Sequence, residues 1–141
     1  MQREILLLLL LSGNTITDLI NRTIVLRFNF AFVCIGIPVF ILSGRSLPDL
    51  LTSLIPGAFL LVFSILSGGS IGLGDAVVLL VSGCFAGWRH VLVSSFSGLL
   101  LSSVFASFLL IFGKSRKSRF PFIPFLLTGE ILSLITDAVF I

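Results

Sequence analysis

Gly68-Gly69-Ser70-Ile71-Gly72-Leu73-Gly74-Asp75 runs directly into Ala76-Val77-Val78-Leu79-Leu80-Val81. A glycine-rich loop between hydrophobic runs ends in an acid, and the residues after the acid read as the start of a buried helix. Asp75 has two readings at that point. As an N-cap it accepts hydrogen bonds from the first free N–H groups of the helix. As a reactive group it needs a partner, and the chain offers only six acids: Glu4, Asp18, Asp49, Asp75, Glu130 and Asp137.

The 141 residues allow one compact unit, a single domain over 1–141. The chain is 57% hydrophobic and only 11% charged, whereas a soluble domain carries about a quarter charged residues. Its mean hydropathy is +1.24. Polar surface is too scarce to cover a globule, so the expected class is an all-α integral membrane protein whose solvent is largely the lipid bilayer. The net charge of +3 gives no reason to expect nucleic acid as a partner. Cys34 and Cys84 lie inside apolar runs, without CxxC or metal-type spacing, and read as packing residues. His90 is the only histidine and has no second ligand near it in sequence, so no metal and no cofactor is expected.

In chain order, a first helix is expected from about Met1 to Ile20, with Asn14, Asp18, Asn21 and Arg22 on one face. A polar stripe on so apolar a helix faces protein or water; alternatively Asp18 ends the helix near the interface and pairs with Arg22. Further apolar runs cover Phe28–Leu42 with a kink at Pro38, Leu50–Leu66, Asp75–Trp88, Val91–Phe112 and Pro124–Ile141. Ser43 to Asp49 reads as a turn. Gly83 and Gly87 give the fourth run a small-xxx-small spacing suited to close helix approach. Trp88, Arg89 and His90 look like the interfacial end of that run. The serines of the fifth run can bond backbone carbonyls or neighbouring helices.

About six crossings place both termini on one side of the membrane. Loops one, three and five hold Arg22, Arg27, Lys114, Arg116, Lys117 and Arg119, six of the nine Lys and Arg residues. By the positive-inside rule the odd loops are cytoplasmic and both termini are extracytoplasmic. The basic stretch Lys114–Arg119 could also hold anionic head groups or a partner. In this orientation Asp18 ends the first helix and Asp75 begins the fourth at the same face. Glu4, Asp49 and Asp137 fall near the opposite face, and Glu130 remains a candidate third member.

Two carboxylates at one depth in a low-dielectric setting cannot both ionise readily, so one keeps a proton and the pair titrates as a unit. That is the requirement of aspartyl-protease chemistry: the ionised acid takes a proton from water while the neutral one polarises the scissile carbonyl. Gly72 and Gly74 would permit unusual backbone geometry and close approach of a substrate chain. The rival for the loop is a tight re-entrant turn with a capping acid. The rivals for the protein are a non-catalytic membrane subunit or scaffold and a small ion transporter.

The residues also resemble a family. Gly72-Leu73-Gly74-Asp75 resembles the GxGD motif of intramembrane aspartyl proteases. Pro121-Phe122-Ile123-Pro124-Phe125-Leu126-Leu127-Thr128-Gly129 resembles the PFxPFL…G signature of bacterial type IV prepilin peptidases, and Asp18-Leu19-Ile20-Asn21-Arg22-Thr23-Ile24 resembles their first motif, D-x-x-x-R-x-I. The order of the motifs agrees, and the likeness runs from about residue 10 to residue 130. The presenilin and signal-peptide-peptidase branch shares GxGD but carries a different proline motif.

The resemblance implies an endopeptidase in the inner (plasma) membrane of a prokaryote. It would cut the short basic leader from type IV pilin-like precursors at the cytoplasmic face, after a glycine and before the pilin's hydrophobic helix. The implied partner is that prepilin or pseudopilin helix. Asp18 and Asp75 match the two family aspartates and take the catalytic role. Gly72 and Gly74 take the motif's structural role, and Pro121, Phe122, Pro124, Phe125 and Gly129 shape the site. Ile24-Val25-Leu26 departs from the family's Ile-Pro-Asn or Ile-Pro-Asp, and Val77 replaces a frequent lysine. Leu47-Pro48-Asp49 is a lookalike, but Asp49 as first acid would leave one crossing before Asp75 and put the two on opposite faces. Bifunctional members carry a cytoplasmic N-terminal domain with paired cysteines that accompanies methylation; the expectation here is a compact, peptidase-only form without zinc.

Overall fold

The computed structural model describes residues 2–21, 24–67, 72–112 and 122–140. Arg22, loop residues 68–71, the basic stretch 114–119 and Pro121 lie outside the described residues. Six helices follow one another: α1 Gln2–Asn21, α2 Leu26–Leu42, α3 Leu47–Leu66, α4 Leu73–Phe85, α5 Trp88–Ile111 and α6 Ile123–Phe140, with no strand among the described residues. Three of them are long and apolar enough to cross a membrane, over Gln2–Asn21, Leu47–Leu66 and Trp88–Leu109. Leu26–Leu42, Leu73–Phe85 and Ile123–Thr136 are shorter apolar helices.

Local chemistry explains where the helices begin. The expected turn over Ser43 to Asp49 is shorter than the sequence suggests, because Ser46 is the N-cap of α3. Its hydroxyl donates to Asp49 Oδ2 at 2.8 Å and accepts from the Asp49 N–H at 3.4 Å, a reciprocal capping pair. Pro48 sits in the first turn, where a missing N–H leaves nothing unsatisfied. Asp49 is thus occupied by its own helix. Trp88 and His90 open α5 instead of closing α4, which stops at Phe85. Pro38 and Pro56 both lie inside helices.

Contacts between helices fix their directions. The antiparallel pairing of α1 with α2 is marked by Asn14 and Asn29, which exchange side-chain hydrogen bonds at 3.2 and 2.8 Å. Each amide also donates to a carbonyl of its own helix, Asn14 to Leu10 and Asn29 to Val25, so both NH2 groups are used. For α3 and α4, Ser53 donates to the Gly83 carbonyl at 2.7 Å. A Cβ at Gly83 would stand 2.6 Å from the Ser53 carbonyl oxygen, and one at Gly57 would stand 2.7 Å from Leu80 Cα. Gly87 has nothing within 4 Å of that position, so the close approach expected of both Gly83 and Gly87 belongs to Gly83 alone. Across α5 and α6 a Cβ at Gly129 would meet the Ser94 carbonyl oxygen at 2.6 Å, and His90 Nδ1 lies 3.1 Å from Ser133 Oγ.

The result is an up-down bundle around α4, which packs against α1, α2, α3 and α5. The core joins Leu7, Leu10 and Leu11 of α1 to Val78, Leu79 and Phe85 of α4, and to Ile123 and Leu126 of α6. The outer faces carry large apolar side chains such as Leu51, Ile55 and Phe59 of α3 and Phe96, Val104 and Phe108 of α5. The buried set, by contrast, includes Asn14, Asp18, Asn29, Ser53 and Glu130. The serines of α5 hide their donors as expected: Ser97, Ser103 and Ser107 bond the carbonyls of Val93, Leu99 and Ser103 at 2.6 to 2.8 Å. A polar interior under an apolar surface suits a lipid solvent.

The amide pair makes a stability prediction. Asn29→Leu strands the buried Asn14 amide and lowers stability by about 1 kcal/mol, read by unfolding in mixed micelles. The Asn14→Leu, Asn29→Leu double variant recovers part of that loss. Equal, additive losses in the three variants would remove the pair from the account.

Candidate active site

The site forms where four helix ends meet: the last turn of α1 and the first turns of α2, α4 and α6. Each end is brought there by its partner. Asn14 and Asn29 align α1 with α2, and Ile24, just before α2, lies against Gly74. Ile123, at the first position of α6, is fully buried in the core.

Asp18 is 8% exposed, and its carboxyl group lies close to the start of α6 at Ile123. Its Oδ2 is buried with no hydrogen-bond partner among the described residues. The expected polar stripe is therefore divided: Asn14 and Asp18 face inward, Asn21 is exposed, and Arg22 lies outside the described residues. Asp75 is half-buried and within electrostatic reach of Asp18. The two come from helices separated by α2 and α3 and meet at one end of the bundle.

Asp75 is not the N-cap of α4. That position belongs to Gly72, and no side chain caps the helix; Asp75 stands three residues on, in the first turn, with its N–H bonded to the Gly72 carbonyl at 3.1 Å. The glycines also act differently from expectation. Gly72 has φ −63° and ψ 118°, a conformation open to any residue, and Gly74 is helical. What both require is space. A Cβ at Gly72 would stand 2.8 Å from Asp75 Oδ2, and one at Gly74 would stand 2.8 Å from Ile24 Cβ and closer still to its Cδ1. Gly72 leaves room for the carboxylate, and Gly74 lets the first turn of α4 reach α2.

The Pro-Phe segment has a specific local role. Phe122 accepts from Phe125 and Leu126 N–H at 3.0 and 3.1 Å, and Pro124 has no N–H. A helix start leaves several backbone donors unpaired; here the third-position donor is turned back on Phe122 and the second is absent. The Ile123 N–H remains, near the Asp18 carboxyl group. Phe122 packs against the core, Phe125 lies 5.4 Å from the Phe105 ring of α5, and Gly129 seats α6 against α5. Pro121 lies outside the described residues.

The other acids are elsewhere. Ser53 pairing with Gly83 sets Asp49 level with the far end of α4, about 18 Å along the axis from Asp75 at 1.5 Å per residue. Glu130, buried to 2% exposure, lines a cavity of about 60 Å³ with Arg3, Glu4 and His90. That cavity is in the other half of the bundle, so Glu130 does not join Asp18 and Asp75. Arg45 donates to the Phe85 carbonyl at 3.4 Å and closes the far end of α4, where a cation suits the helix dipole. Among the described residues no three His, Cys, Asp or Glu side chains gather as a metal would require.

Sequence reasoning missed Asn29, which was detectable as a lone amide in an apolar run. Comparison with models of protein families, with curated proteins and with solved structures finds no match to this chain.

Gly74→Ala tests the α4–α2 contact that sets Asp75. Overpacking at this point lowers stability by about 1–3 kcal/mol, and Ile24→Ala in the same chain restores much of it, giving a non-additive pair. Simple additivity in thermal unfolding would contradict the contact.

Proposed function

We propose that this chain is an intramembrane aspartic endopeptidase that removes the short leader of type IV pilin-like precursors. The observation that carries the reading is the convergence of Asp18 and Asp75 while Asp49 and Glu130 are engaged elsewhere. The motifs around these residues add the substrate class, because together they resemble those of prepilin peptidases.

In this reading all six helices lie in the inner membrane of a prokaryote, with the Asp18–Asp75 end cytoplasmic and both termini outside. The excess of Lys and Arg in the odd-numbered loops supports that orientation. α4 would be about 20 Å long at 1.5 Å per residue, against a hydrocarbon core of about 30 Å. It can enter the bilayer only with its ends held below the surface by its neighbours. Asp75 then opens onto the membrane boundary, where a leader joins a hydrophobic helix.

The chemistry needs one ionised and one protonated carboxyl group. The ionised group accepts a proton from water as the water oxygen bonds to the scissile carbonyl carbon. The protonated group hydrogen-bonds the carbonyl oxygen as negative charge develops there. Collapse of the tetrahedral adduct breaks the C–N bond, and a proton passes to the departing amine. A water molecule is consumed, and the two carboxyl groups return to their starting state.

A second reading has its own support. Asp18 is buried next to the first turn of α6, which is where a purely structural residue in a non-catalytic membrane subunit would sit. Asn keeps the size of the side chain and one acceptor oxygen but cannot ionise, so Asp→Asn separates the two readings. Co-expressed with a prepilin-type substrate in cells lacking their own peptidase, the wild type should produce a leader-sized mobility shift. Asp18→Asn and Asp75→Asn should reach the membrane at normal levels and lose at least about 100-fold in cleavage, the scale expected when an acid–base group is removed. Absence of cleavage by a well-folded wild type on several such substrates would favour the structural subunit.

A further inference from the structure

Resting on the aspartic-peptidase reading, we infer that Thr15 is a water-positioning residue of the site: its hydroxyl and the Asp18 carboxyl group together hold the water molecule that attacks the scissile carbonyl. Two oxygens without a partner point there. Among the described residues three buried side-chain atoms are unmatched, and two of them, Thr15 Oγ1 and Asp18 Oδ2, lie one helical turn apart on α1. The third belongs to Arg45, at the far end of α4.

Thr15 is also an exception among the hydroxyls. A threonine inside a helix readily turns its hydroxyl onto a carbonyl three or four residues back. Each of the other described threonines does so: Thr17 donates to Gly13 and Asn14, Thr52 to Pro48 and Asp49, Thr128 to Phe125, and Thr136 to Leu132 and Ser133. Thr15 forgoes that bond, and burying a hydroxyl unmatched is costly. Its polar neighbours on α1 are engaged or exposed. Asn14 is taken up by Asn29 and by the Leu10 carbonyl, Thr17 by its own backbone, and Asn21 is exposed.

Residues three apart on a helix share a face, with Cβ atoms about 5–6 Å apart. Across such a gap one water molecule, hydrogen-bonded at about 2.8 Å to each oxygen, joins the two side chains. Buried polar atoms of this kind are the usual hosts of ordered water. The place also suits the reaction, since Asp18 is within electrostatic reach of Asp75. A water molecule held by two fixed groups keeps a lone pair turned towards the incoming carbonyl carbon, so its orientation is settled before the new bond forms. As the C–O bond forms, the proton of the water leaves to the carboxyl pair. The Thr15 hydroxyl orients the water and neither gains nor loses a proton.

Thr15→Val removes the hydroxyl and keeps the shape, whereas Thr15→Ser keeps the hydroxyl. In lipid nanodiscs with a prepilin-type substrate, Thr15→Val should lower kcat at least about 10-fold and leave KM within about twofold, because the lost contact is with the reacting water and not with the bound chain. Thr15→Ser should restore most of the rate. Full kcat in Thr15→Val, or a loss that Thr15→Ser does not restore, would overturn the inference. Unfolding in mixed micelles tests the shared water without turnover. Thr15→Val and Asp18→Leu should each lower the midpoint by stranding the other group, and the double variant should regain part of the loss. Additive midpoints, in either direction, would mean two unrelated groups and would overturn it as well. A wild type that cleaves no prepilin but shows the coupling would lose the peptidase reading and keep Thr15 and Asp18 as a water-linked pair.

Discussion

An apolar exterior leaves the polar side chains of this chain no stable place except the interior, and every one sent inward needs a partner. In water, Asn14, Asn29, Asp18 and Glu130 would be expected at the surface. Here all four are buried, and the bundle is arranged to receive them. The two asparagines complete one another, and the serines of α5 fold their hydroxyls onto their own backbone. An unmatched polar group in such surroundings costs several kcal/mol, which is more than most single contacts return. Three buried side-chain atoms among the described residues lack a partner, Thr15 Oγ1, Asp18 Oδ2 and one Arg45 nitrogen, and of these only Asp18 lies near a second carboxyl group.

Small residues make that arrangement possible. Apolar side chains gain little from leaving lipid for a protein interior, so helices in a bilayer associate through close packing and hydrogen bonding. Gly57 and Gly83 bring α3 onto α4, Gly74 admits Ile24, and Gly129 seats α6 on α5. The last two govern the site directly, because they set the first turn of α4 and the start of α6. Contacts spread along the bundle place the four helix ends.

Much of this was legible in the sequence. Leucine-rich runs bounded by glycine, proline and charge located all six helices, since the physics that marks an apolar span is local to it. The candidacy of Asp18 and Asp75 followed from orientation, which depends only on counting crossings and basic residues. Less legible were features that depend on what lies opposite. Gly83 and Gly87 have the same spacing in sequence, yet only Gly83 faces a backbone, that of Ser53. Ser46 and Asp49 resemble a surface turn until the reciprocal cap shows that the helix has begun. Glu130 is as apolar in its sequence neighbourhood as Asp18, and only the α1–α6 register sends it to the far cavity. The glycines of the loop suggested unusual backbone angles; their use proved to be steric, and no sequence pattern separates those two reasons.

The central claim is that the ends of α1 and α4 meet and bring residues 18 and 75 together in the membrane. Its most direct measurement is crosslinking of Asp18→Cys with Asp75→Cys, after Cys34→Ser and Cys84→Ser, in native membranes with a short thiol-to-thiol reagent. The account predicts an intramolecular 18–75 crosslink and none between Asp49→Cys and Asp75→Cys. A 49–75 crosslink, or no 18–75 product while a control pair at Asn14→Cys and Asn29→Cys joins normally, would contradict it.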